Sequence, residues 1–191
     1  PVGRVLSSVP RRLEGAQPCI APREWTWDGV RFALVHPTDP GRRHNDSSCV
    51  LHIQSPYGSL LLPGDIEHAA EARLVEAQGA ALRADVLVAP HHGSQTSSTA
   101  DFLARVQPRV VLFPVGYRNR YHHPHPLVRE RYAQRTGQLY DSPRHGALEI
   151  HFGPAGRVVS TYRQDHRRYW FSDGVDSGFM PGRVSDRLGA L

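Results

Sequence analysis

Apolar residues in this chain come in short runs separated by polar turns, and the spacing inside the runs changes part-way along. Residues 30–35 read as a strand, and 49–54 and 59–62 as two more across the turn Pro56-Tyr57-Gly58, a hairpin. From residue 67 the period lengthens. Residues 67–81 are alanine-rich, with Ala70, Leu74, Val75 and Gln78 placed for one helical face. Residues 85–89 and 109–115 are short apolar strands. Thr99 can cap a helix through Val106 whose stripe is Phe102, Leu103 and Val106. Pro126 suits the first position of a helix over 126–136 that Gly137 ends, and two late strands follow near 147–152 and 157–162. Residues 1–24, with four prolines and few periodic apolars, read as an extended lead-in, and 37–48 as a polar loop. Residues 163–191 read as a tail docked by Tyr169, Trp170 and Phe171. Strands first, then strand and helix in alternation, predict a layered α/β (α+β) domain over 1–162.

Composition narrows this picture. At 191 residues and 39% hydrophobic, the chain can bury a core without staples and is no disordered tail. Two cysteines exclude a disulfide scaffold, and no apolar run reaches membrane-spanning length. The chain starts at Pro1 with no signal-peptide layout, which reads as a piece of something longer. A net charge of +5 suits a polyanionic partner. All 23 basic residues are arginine, a bias that a GC-rich genome also produces. Five of the 12 histidines fall in two short runs, and these carry the candidate chemistry.

Three loops after strand ends share one character. In Leu62-Pro63-Gly64-Asp65-Ile66 an open carboxylate can bridge cations, and equally can cap the next helix. In Ala89-Pro90-His91-His92-Gly93-Ser94, imidazoles suit transition metals or proton transfer, while Ser94 and Ser97 can donate to phosphate. The bland alternative is a solvated histidine pair. The third loop runs from Gly116 to Pro126. There Pro124 and Pro126 hold His123 and His125 extended, and Arg118 and Arg120 can grip a phosphate; a basic surface loop is the alternative. Strand carboxyl ends face one crevice in an α/β sheet, so Asp65, His91, His92, His123 and His125 can converge. One carboxylate with several imidazoles is a transition-metal set, not a calcium one.

In that order, Leu-Pro-Gly-Asp65-Ile-Glu, Asp85-Val-Leu-Val-Ala-Pro-His-His-Gly-Ser94 and Val-Gly-Tyr-Arg-Asn-Arg-Tyr-His-His-Pro-His-Pro126 resemble the C-terminal domain of the ComEC family of competence proteins, over about residues 2–152. The resemblance implies a metallo-β-lactamase-like αββα sandwich, incomplete at its N-terminus. It implies a DNA nuclease using two divalent cations, Zn or Mn, with single-stranded DNA the expected partner. It further implies a soluble domain of a polytopic inner-membrane protein, on the periplasmic face. By motif position Asp65 resembles the bridging aspartate and His123, with His125, the last histidine ligand. His91 and His92 resemble the pair at the phosphate, one binding metal and one protonating the leaving oxygen, with Ser94 beside them. Asp46, in Asn45-Asp46-Ser47-Ser48, stands where related enzymes carry a metal ligand. Arg118, Arg120 and Arg144 could track the DNA backbone, and Tyr117 and Tyr121 could stack bases, though packing at a strand end is the commoner role of such a tyrosine. The family's His-x-His-x-Asp-His motif is absent from this sequence, and truncation is the simplest account. Cys49, inside an apolar strand, reads as a core residue; a periplasmic setting also allows a disulfide. Two rival readings keep the fold: a non-catalytic DNA-guiding module, and a hydrolase of another ester.

Overall fold

The computed structural model describes residues 2–39 and 45–166. The lead-in is more ordered than its prolines suggest: β1 (Val5–Ser7) pairs in parallel with β2 (Ala16–Pro18). A seven-stranded sheet then takes β3 (Arg23–Trp27), β4 (Val30–His36), β5 (Val50–Ser55), β6 (Gly58–Leu62), β7 (Val86–Val88), β8 (Val110–Phe113) and β9 (Gln138–Asp141) in sequence order. Pairing is antiparallel from β3 to β6 and parallel from β6 to β9. The sequence pattern missed β3 and β9. β3 is an edge strand with mostly exposed side chains, so burial imposes no alternation on it. β9 spans too few residues for a period to appear.

Helices α1 (His68–Gln78), α2 (Ala100–Val106) and α3 (Pro126–Ala133) cover one face of the sheet. Ala70 and Leu74, Phe102 and Leu103, and Val128 and Tyr132 pack in one core with Leu61, Leu87, Val111 and Leu139. Thr99 caps α2 through the Phe102 amide, and Pro126 opens α3, both as the sequence predicts. Beyond β9 come a single turn, α4 (Ser142–His145), the hairpin β10 (Leu148–Gly153) and β11 (Gly156–Thr161), and a last turn, α5 (Tyr162–Asp165). The hairpin lies on the sheet's second face: a Cβ on Gly58, which shares that face with Leu60, would meet the Phe152 ring at 2.3 Å. The layered α/β expectation therefore holds, as helices over a central mixed sheet. The docking expected of Tyr169, Trp170 and Phe171 lies outside the described residues.

Cys19 and Cys49 form a disulfide, with Cα atoms 6.0 Å apart, the pairing that the sequence left open. It ties the end of the lead-in to the start of β5 and closes a loop of 30 residues. A loop of that length is worth about 3–4 kcal/mol in chain entropy. Reduction, or Cys19→Ser with Cys49→Ser, is expected to lower the unfolding free energy by about that amount in urea titrations. An unchanged midpoint would show that the bridge constrains nothing in the unfolded chain.

His52 in β5 faces the helical core at 3% exposure, and its Nε2 has no hydrogen-bond partner. Burial lowers its pKa from 6.5; a backbone bond with Arg83 opposes this, and the Arg31 charge adds to it. The folded protein thus binds this proton less readily than the unfolded chain. The associated stability is complete above the unfolded value and is lost as pH falls from about 6.5 toward the lower folded value. Between pH 7 and 5 the unfolding free energy should fall, with a slope of up to about 1.4 kcal/mol per pH unit from this group. His52→Leu should flatten that slope; an unaltered slope would assign it elsewhere.

Candidate functional site

Because β6 to β9 run parallel, Leu62, Val88, Phe113 and Asp141 end at one edge of the sheet. The three candidate loops leave from that edge, and backbone bonds lace them together. The His91 amide donates to the Gly64 carbonyl at 3.0 Å, and the His125 amide to the Gly93 carbonyl at 2.9 Å. The Asp65 amide donates to Ser48 Oγ at 3.2 Å, which draws in the 45–48 segment. Two glycines permit this approach. A Cβ on Gly64 would stand 2.9 Å from Ser48 Cβ, and one on Gly93 2.8 Å from Pro124 Cβ.

The histidine pair sits in unusual backbone. His91 and His92 have φ of 47° and 56°, and Gly93 follows at 82°, so three successive residues are left-handed. For a residue with a Cβ this costs about 1–2 kcal/mol, a strain that the lacing must hold. The turn splays the two rings toward different carboxylates. His92 Nε2 lies 3.5 Å from Asp65 Oδ1. His91 Nδ1 lies 3.2 Å from Glu67 Oε1, off hydrogen-bond alignment, and Asn45 Nδ2 donates to that same oxygen. The His91 ring meets the His123 ring edge-on, with centroids 5.9 Å apart. Burial lowers the His123 pKa, and the charges of His91, His92 and His125 push the same way, which favours its neutral form.

The Nδ1 atoms of His91, His123 and His125 are buried without a hydrogen-bond partner. Unpaired buried imidazole nitrogens beside two carboxylates have the donor chemistry of a transition-metal site. The fit is partial. Among the described residues no three His, Cys, Asp or Glu side chains gather closely enough to hold a metal ion.

The remaining candidates divide. Ser94 Oγ pairs locally with Thr96 Oγ1 at 3.1 Å. Ser97 is buried and donates to the Pro90 carbonyl, so it is a brace and cannot reach a phosphate. Asp46 spends its carboxylate inside the chain, accepting from the Glu67 amide at 2.8 Å and lying 3.6 Å from Arg73. Arg118 and Arg120 stack over Tyr117 and Tyr121, which are 71% and 63% exposed, and Tyr121 stacks on His123. A basic, aromatic rim thus adjoins the histidines. Arg144, in α4 after β9, lies 3.8 Å from Asp141.

Two supports went unread in the sequence. Asn119 clasps the third loop, accepting from the His123 amide and donating to its carbonyl, each at 2.8 Å. Glu71 in α1 is fully buried and accepts from the amides of Ser98 and Thr99. Burial raises its pKa, opposed by the bonds from Thr99 and Ser98 and by Arg131. Its position on the buried helix face was the available signal.

No family model matches the chain. Competence protein ComA of Neisseria gonorrhoeae is 35% identical over 173 residues, 89% of this chain. The chain belongs to the ComEC family. ComE operon protein 3 of Bacillus subtilis is 31% identical over 70% of the chain, and the Escherichia coli protein YcaI, which is uncharacterized, 33% over 88%. The chain spans 23% of the length of YcaI, 24% of ComA and 17% of ComE operon protein 3. A Thermotoga maritima protein described as a Zn-dependent hydrolase of the metallo-β-lactamase superfamily aligns at a TM-score of 0.35 and 18% identity, over 56% of this chain and 51% of its own. That likeness is too partial to bear on the site. Among the described residues no helix is long and apolar enough to cross a membrane.

Proposed function

We propose that this chain is part of a metal-dependent DNA phosphodiesterase within a DNA-uptake protein. The carrying observation is that His91, His123 and His125 keep buried Nδ1 atoms without hydrogen-bond partners, beside the pair His92 and Asp65. Asp65, His92, His123 and His125 would each contribute to holding the divalent cations in a polypeptide that carries the complete ligand set. When bound, the cations supply Lewis-acid polarisation of the phosphodiester and acidify water. The chain's own residues do the rest. His91, opposed to Glu67, stands free to pass a proton to the departing oxygen. Ser94, once turned from Thr96, donates to a non-bridging oxygen. Asn119 and the left-handed turn fix where the imidazoles stand. Arg118 and Arg120 meet the backbone, and exposed Tyr117 and Tyr121 stack bases, which suits a single strand. Arg144 extends the basic rim from the neighbouring strand end.

The Cys19–Cys49 disulfide supports an extracytoplasmic setting, since such bonds persist in oxidising compartments. The incomplete donor set favours a second reading for the chain on its own: a guide that binds DNA without cutting it. Metal content and cleavage of single-stranded DNA separate the two. They are measured on this chain and on a longer polypeptide carrying a His-x-His-x-Asp-His segment. The hydrolase reading expects about two metals and cleavage only from the longer one. DNA binding without metal or cleavage in either establishes the guide.

A further inference from the structure

Each site loop feeds one helix: residues 63–67 lead into α1, 89–99 into α2 and 114–125 into α3. The three helices meet again at one buried node. Glu71 of α1 accepts from the Ser98 amide at 2.5 Å and the Thr99 amide at 2.7 Å. From α3, Arg131 Nη1 donates to the Ser98 carbonyl at 2.5 Å, and the Tyr132 hydroxyl donates to Ser98 Oγ at 2.9 Å. Ser98, at φ 61° and 0% exposure, is thus gripped from both sides. The grip passes to the site within a few bonds, since the adjoining Ser97 Oγ donates to the carbonyl of Pro90, the residue before His91.

A buried carboxylate is costly, and an apolar side chain would fill the same space without that cost. Thr99 already caps α2, so the helix end alone does not require Glu71. What the carboxylate adds is a fixed distance between α1, which begins beside Asp65 and Glu67, and the turn that carries His91 and His92.

We propose that Glu71 is a positioning residue for the histidine pair, acting through the 97–99 turn and the Pro90 carbonyl. The inference rests on the site reading above but needs no metal for its test. The readout is the set of histidine ring signals in 1H–13C NMR spectra of the full chain. Glu71→Gln retains one acceptor and turns an amide toward the second N–H. It should move and broaden the His91 and His92 ring signals at temperatures where the variant is folded. In a longer polypeptide carrying the complete ligand set it should also weaken Zn²⁺ binding about tenfold or more, in the range found for residues that orient ligands. Leu139→Ala, a cavity elsewhere in the same core, should lower stability and leave those signals in place. Loss of stability in Glu71→Gln with unmoved ring signals would overturn the proposal. Should Glu71→Gln fail to fold, Tyr132→Phe removes one bond to Ser98 and is read the same way: moved signals support the proposal, unmoved signals overturn it. If Zn²⁺ moves no ring signal in the longer wild-type polypeptide, the metal reading fails, while moved ring signals in Glu71→Gln still support its positioning role.

Discussion

Asp65→Ala is expected to reduce DNA cleavage about a thousand-fold in a polypeptide carrying the complete ligand set, with thermal unfolding unchanged. The two halves of that expectation have different origins. A carboxylate that helps hold catalytic cations is worth several kcal/mol of charge stabilisation in the transition state, and about 4 kcal/mol is three orders of magnitude in rate. Stability should be spared because Asp65 does little for the fold: its side chain is 46% exposed, and the ion pair drawn to it is His92 at 3.5 Å. Its amide, which does bind Ser48, survives the substitution. His92→Ala tests the other end of the pair and should fall by a similar factor. Activity retained in both variants would end the catalytic reading and leave the DNA guide. A loss that tracks lowered stability would instead assign Asp65 to the fold. Cleavage rates and melting curves from the same preparations separate these results.

The parts of this site that the sequence reveals are those whose residue types are chosen for local reasons. Gly64 and Gly93 stand where backbones approach closely, Pro126 where a helix starts, and the histidine runs beside them show in any reading of the chain. Their convergence was legible too, because parallel strands end at one edge whatever the packing. Glu71 was readable only in part. Its spacing to Leu74, Val75 and Gln78 puts it on the buried helix face, but only the tertiary fold brings it to Ser98 and Thr99. Ser97 erred in the opposite direction: beside two histidines a serine suggests a phosphate donor, yet burial commits it to Pro90. The disulfide was allowed by the sequence but not decided by it, since its partners stand 30 residues apart in unrelated local patterns. The same cause, contact between distant segments, hid the pairing of His91 with Glu67 and of Asp46 with Arg73.

The lacing between loops predicts that one methyl group can open the site. In Gly93→Ala the new Cβ would stand 2.8 Å from Pro124 Cβ and 3.0 Å from two Phe113 ring atoms. Neither neighbour can yield readily. Pro124 is a closed ring, and Phe113 is 2% exposed and packed edge-on against Tyr132 with centroids 5.3 Å apart. The residue also keeps a φ of 82°, which a side chain disfavours by about 1–2 kcal/mol. Overpacking and backbone strain together should cost about 2–4 kcal/mol, and lower the melting temperature by roughly 5–15 °C. Gly137→Ala is the control, because a Cβ there meets nothing within 4 Å and the position has no positive φ. The functional effect should exceed what stability explains. Relief of the clash must part the 91–94 turn from Pro124, and the bond from the His125 amide to the Gly93 carbonyl ties that turn to the loop whose His123 ring meets His91. At temperatures where Gly93→Ala is folded, metal affinity and cleavage should therefore both fall at least tenfold, while DNA binding through Arg118 and Arg120 persists. Wild-type metal affinity in a destabilised Gly93→Ala would mean that the loops need not touch to form the site.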